Sequence, residues 1–121
     1  MTDPAADAAR AAAAILAPDL GPALPVHVEA ALAARDAGQR PGQYVDPNIL
    51  IGLASLIVSI ATLAWTIYND QRERNPHPQP EAIERQVRIA LRERDVALPG
   101  GTERITEVVV TEITRQASSP R

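Results

Sequence analysis

The sequence predicts a mainly α chain: a single-pass transmembrane helix with short helical flanking segments, a C-terminal helical hairpin among them, and no independent globular core. Three observations lead there. No charged residue occurs between Asp46 and Asp70. All the aromatic residues, Tyr44, Trp65 and Tyr68, cluster around that uncharged run. Elsewhere the 121-residue chain is mostly alanine, proline and charge, without a single Phe, which leaves little to fill a water-soluble core.

Residues 1–46 read as an alanine- and proline-rich tail with one or two short helices. Asp3 suits a helix cap, Pro4 the first helical position and Asp7 the first turn, so a helix is expected to about Ala17. Pro18, Pro22 and Pro25 then break the chain. A second helix is expected from about Val26 to Ala37, stopped by Gly38. Leu16, Leu20, Leu24, Val28 and Leu32 recur every four residues, so the two pieces either pair as a loose hairpin or stay a mobile tail.

Residues 47–69 form the predicted span. As a helix, Ile49 to Tyr68 would extend about 30 Å, the thickness of the hydrocarbon layer. Its Leu, Ile and Val residues together favour insertion by roughly 3 to 6 kcal/mol. Tyr44 before the run, and Trp65 and Tyr68 in its last turn, are expected at the two headgroup layers. A buried helix in a soluble bundle is the competing reading, and it needs neighbours apolar enough to cover the run all round. A cleaved signal peptide fits poorly, because the run starts near residue 48 and MTDPAADAAR has no basic cluster.

Within the span, Gly52, Ser55, Ser59, Thr62 and Thr66 follow a 3, 4, 3, 4 spacing, and Asn69 continues it. Leu53, Leu56, Ile57, Ile60, Leu63 and Ile67 occupy the rest of the circumference. In lipid, small and hydroxylated residues allow close helix approach and hydrogen bonds between helices, so this stripe is expected to pack on a second helix, most simply another copy. The alternative is that the hydroxyls bond only their own backbone.

Residues 70–80 are a linker in which Pro76, Pro78 and Pro80 favour an extended spacer holding His77. Residues 81–116 are the expected hairpin. Ile83, Val87 and Leu91 share one face of the first helix, and Glu81–Arg85 and Glu84–Arg88 are favourable pairs one turn apart. VALPGG ends that helix. The segment 102–115 is rich in β-branched residues, as a strand would be, yet Ile105, Val108, Val109 and Ile113 share a helical face. A lone strand would lack a partner, so a helix is preferred. The two helices would then meet through Ile83, Val87, Leu91, Ile105, Val109 and Ile113, a thin core that calls for a protein partner. Residues 117–121 are expected to be a disordered end.

No catalytic, cofactor-binding or metal-binding residues are identified, and the chain is not expected to be an enzyme. The absence of cysteine excludes disulfides and thiolate chemistry. His27 and His77 fall on opposite sides of the span, too few and too far apart for a metal site. Gly100–Gly101 reads as a turn, and Glu107 and Glu112 as parts of solvated helical patterns. A net charge of -3 gives no basis for nucleic-acid binding.

The basic residues are all Arg, beside 22 Ala and 11 Pro, a bias typical of GC-rich bacterial genes. The expected location is therefore a bacterial inner membrane. Arg35 and Arg40 precede the span within about 20 residues, whereas Arg72, Arg74, Arg85 and Arg88 follow it, which places the N-terminus outside and the C-terminus in the cytoplasm. The expected role is an anchor or scaffold that self-associates through its span and presents the hairpin to a protein partner. The alternatives are an oligomerising membrane-active effector of the toxin or holin kind, and an accessory subunit of a larger membrane complex.

Overall fold

The computed structural model describes residues 3–38, 49–75, 78–93 and 102–118, and 88% of the chain's described architecture is helical with no strand among those residues. Five helices follow one another: α1 (Pro4–Leu20), α2 (Leu24–Asp36), α3 (Ile49–Arg72), α4 (Pro80–Glu93) and α5 (Thr102–Ser118). The segment 102–118 is thus a helix. Tyr44, His77 and the VALPGG turn lie outside the described residues.

Local chemistry accounts for most of the boundaries. The Asp3 carboxylate accepts from the backbone N–H groups of Ala5 and Ala6, at 3.1 and 3.2 Å, and so caps α1 ahead of Pro4. The helix runs past Ala17 because Pro18 falls in its last turn, where only one internal bond is lost. Gly21 then leaves the helix at φ 142°, a value open to glycine, and its N–H bonds the Ala17 carbonyl at 2.8 Å. Gly38, at φ 81°, ends the turn after α2 and bonds the Arg35 carbonyl. The central helix continues past residue 69 to Arg72, whose charge suits the negative end of the helix dipole. Pro80 opens α4, and the Gln79 carbonyl accepts from Ala82 and Ile83.

Helix α3 is the hub. It packs against each of the other four, which follow round it in the order α2, α1, α5, α4. Neighbours in that order touch, but α2 and α4 do not, so the described helices form an open fan with its mouth between α2 and α4.

This arrangement corrects the expectation of a chain without its own core. Buried side chains from all five helices merge into a single cluster. The reason lies in alanine. Ala5, Ala8, Ala9, Ala12 and Ala13 are buried along one face of α1, and their small side chains let helix axes approach closely. Close backbone approach fills the space for which large side chains seemed necessary. The tail helices are accordingly packed on each other and on α3.

The C-terminal helices add the larger groups. Ile83, Val87 and Leu91 of α4 and Ile105, Val109 and Ile113 of α5 are all buried. They face α3 as well as each other, and α5 also packs on α1. A second correction follows. Glu107 is solvated, but Glu112 is buried, with Arg115 3.5 Å away and itself largely exposed. A helix covered by three neighbours buries an arc of roughly 160°, wider than a two-helix hairpin needs, and Glu112 falls at its edge.

Truncating Ile113 to Ala removes a fully buried side chain where these helices meet. The expected loss is about 2 to 5 kcal/mol, measured by urea unfolding followed by helical circular dichroism. A loss within the range of a surface substitution would mean that α5 does not pack in this core.

Candidate functional site

Two opposite faces of α3 divide its buried apolar residues from its small-residue stripe. The inward face buries Ala54, Ile57, Val58, Ile60, Ala61, Ala64 and Tyr68. The outward face carries the small-residue stripe. Gly52, Thr62 and Thr66 are exposed, while Ser55, Ser59 and Asn69 are half-buried. With 3.6 residues per turn, the two faces are centred roughly 150° apart. The stripe therefore lies in the mouth of the fan, where an added Cβ on Gly52 would meet open space.

The hydroxyls on this face are partly occupied by their own helix. Thr62 Oγ1 donates to the Val58 carbonyl at 2.9 Å, and Thr66 Oγ1 donates to the Thr62 carbonyl at 3.0 Å. Such bonds to the preceding turn lower the cost of a hydroxyl in a greasy helix and still leave its lone pairs available. Thr62 uses one of them. The Arg35 guanidinium, at the end of α2, donates to Thr62 Oγ1 at 3.2 Å.

Two of the expected interface aromatics lie toward the other helices. Trp65 is half-buried and Tyr68 is buried, on the inward side. Their rings stack with centroids 5.9 Å apart and planes only 7° from parallel. Tyr68 thus packs into the bundle, on a helix that extends past it to Arg72.

The contact between Arg35 and Thr62 was not legible in the sequence, since the two residues are 27 positions apart. Arg35 also pairs with the carboxylate that caps α1, Asp3, and with Asp36 at 3.2 Å. Further ion pairs join Arg10 to Glu29 between α1 and α2, and Arg104 to Asp19 at 3.1 Å between α5 and α1. These two pairs are well exposed, and pairs of that kind contribute little, about 0 to 1 kcal/mol each. Among the described residues no three His, Cys, Asp or Glu side chains gather closely enough to hold a metal ion.

Among the described residues one helix, α3, is long and apolar enough to cross a membrane by length and composition. Less than half of its most apolar stretch is buried in the fold, at 44%. Thr62 lies about 20 Å along the helix from Ile49, well inside the uncharged run. An arginine at the centre of a span costs about 2.5 to 3.5 kcal/mol on insertion, so Arg35 cannot sit beside Thr62 in lipid without a penalty. Comparison with protein families, curated proteins and solved structures finds no significant match to this chain.

Burial raises the Asp3 carboxyl somewhat, but the Ala6 N–H and the Arg35 guanidinium outweigh it and hold the group below its ordinary range. A folded value below the unfolded one stabilises the fold above the unfolded value, and the effect is lost as pH falls through the folded value. The stability difference between the native chain and Asp3→Asn should therefore shrink below about pH 4, as read by urea unfolding across pH. Asn keeps the capping oxygen, so a difference that does not change with pH would remove the charge contribution.

Proposed function

We propose that this chain is a single-pass membrane anchor, with α3 as the span, that associates with a second copy through its small-residue face and presents α4–α5 to a protein partner. The observation that carries this reading is the run from Pro47 to Asn69, in which no residue is charged. The helix it belongs to is 24 residues long, about 36 Å, enough to cross the hydrocarbon layer with some tilt. The bacterial inner membrane, with the C-terminal helices in the cytoplasm, is the location that the arginine distribution favours.

Two further observations support parts of the proposal. The stripe of Gly52, Ser55, Ser59, Thr62 and Thr66 points away from the chain's own core, so a neighbouring helix has access to it. The outer face of α4 exposes Ile89 among charged side chains of both signs, with Arg88 paired to Glu84, a surface that a protein partner could cover.

A second reading is a water-soluble five-helix bundle with α3 as its core helix. It is favoured by the cover that four helices give to the greasy side of α3. In this reading the small polar stripe is simply the side of α3 that meets water.

Membrane extraction separates the two. Produced in a bacterium, the full chain should stay with the membrane pellet through an alkaline carbonate wash and dissolve only in detergent. Release into the wash would leave the soluble bundle in place of the anchor.

The packing face has its own test. Ser59→Leu fills the stripe with a branched side chain and should reduce self-association in a membrane two-hybrid assay, with the membrane level unchanged. Undiminished association would discard the stripe as the contact.

A further inference from the structure

We propose that α1 and α2 are a displaceable cover over the lipid-facing side of α3, so that the packed bundle is the membrane-free form of the chain and insertion requires their release. The inference rests on the membrane reading above and adds a conformational step to it.

One surface has two occupants. The inward face of α3, which buries Ala54, Ile57, Val58, Ile60, Ala61 and Ala64, is apolar apart from Tyr68 and is a surface that a bilayer would solvate. In the fold it is occupied by other helices of the same chain. Those helices cannot accompany α3 into hydrocarbon. Between them α1 and α2 carry Asp7, Arg10, Asp19, Glu29, Arg35 and Asp36. Arg35 makes the conflict specific, because its guanidinium bonds Thr62 in the middle of the run. Packing of α2 on α3 at Thr62 therefore opposes residence of Thr62 in lipid by the cost of placing an arginine there.

The connectivity points the same way. In the fold α1 and α5 lie against each other, although they come from opposite ends of the chain. In a spanning state the segments before and after α3 are separated by the bilayer. That contact, and the Arg104–Asp19 pair across it, must open.

The N-terminal helix α1 meets its neighbours mainly through small side chains. The inner face of α1 is alanine apart from Leu16, and each small side chain buries little apolar area. The α4–α5 contact is built from Ile, Val and Leu. Among the described residues α2 sits at one edge of the fan, touching α1 and α3, as α4 sits at the other, touching α3 and α5. Two of the ion pairs that link α1 to its neighbours, Arg10–Glu29 and Arg104–Asp19, are exposed and weak, while in the third, Asp3–Arg35, the arginine is largely covered. A low-stability unit at the edge of a fold opens before the rest.

The chain has no cysteine and one tryptophan, which makes a direct test simple. The full-length variant Arg35→Cys/Thr62→Cys, made in a lipid-free cell-free system, is joined by a short bismaleimide. Its untethered form has the same cysteines capped singly. Both are mixed with vesicles of phosphatidylethanolamine and phosphatidylglycerol whose acyl chains are brominated. Flotation reports binding, and quenching of Trp65 reports entry into the acyl layer.

The expected result is flotation and quenching for the untethered chain and loss of both for the tethered one. If both forms float and are quenched alike, the cover is not displaced and the inference fails, while the membrane reading survives. If neither enters the vesicles, the membrane reading fails and the inference falls with it. A tether that does not form while the chain remains helical would show that α2 does not pack at Thr62, which also overturns the proposal. A second tether, Asp19→Cys to Arg104→Cys, repeats the test at the α1–α5 contact without altering α3.

Discussion

The inward face of α3 must be kept from water, and the rest of the fold is arranged around that requirement. Ile57, Val58 and Ile60 belong to a run without a single charge, and no loop or cap could solvate them. Four helices from both ends of the chain converge on that face. Their own inner faces differ in kind: alanine on α1, Leu and Val on α2, larger aliphatics on α4 and α5. The core is thus asymmetric, thin where the N-terminal helices approach closely and bulky where the C-terminal helices meet. The charged residues of α1 and α2 are left on the outside, where they form ion pairs between helices.

Much of this was legible in the residues. Asp3 and Pro4 mark the start of α1, Gly38 the end of α2 and Pro80 the start of α4, because each position has backbone requirements that few residues meet. The phase of α3 was legible too, since the 3, 4 spacing of its small residues already separates one side of the helix from the other. What the sequence concealed was the alanine cover. Ala5, Ala9, Ala12 and Leu16 keep helical spacing, but alanine scores weakly on any scale that weighs side-chain bulk, and its contribution comes from how near it lets two backbones come. Long-range pairs such as Arg35 with Thr62 have no local signature at all. The burial of Glu112 is hidden for a related reason: it depends on how many neighbours α5 has, a property of the assembled bundle and not of the helix.

The small-residue stripe illustrates how one pattern serves different surroundings. On a helix in water, Gly52, Thr62 and Thr66 form the side that needs no cover. On a helix in lipid, the same residues form the side that gains most from meeting another helix. Back-bonding of Thr62 and Thr66 to their own carbonyls is compatible with both, because it satisfies the hydroxyl donor without consuming the surface. The sequence requirement is therefore the same under either solvent, and periodicity alone does not choose between them.

The mouth between α2 and α4 has a consequence for symmetry. Among the described helices the fan is open between α2 and α4. Two chains that meet through identical openings are related by a two-fold axis, and a two-fold contact uses up both partners. An assembly built that way stops at a pair and leaves no repeating edge from which a ring or filament could grow. Any larger ring would need a second, different surface on each chain, joined head to tail with the first.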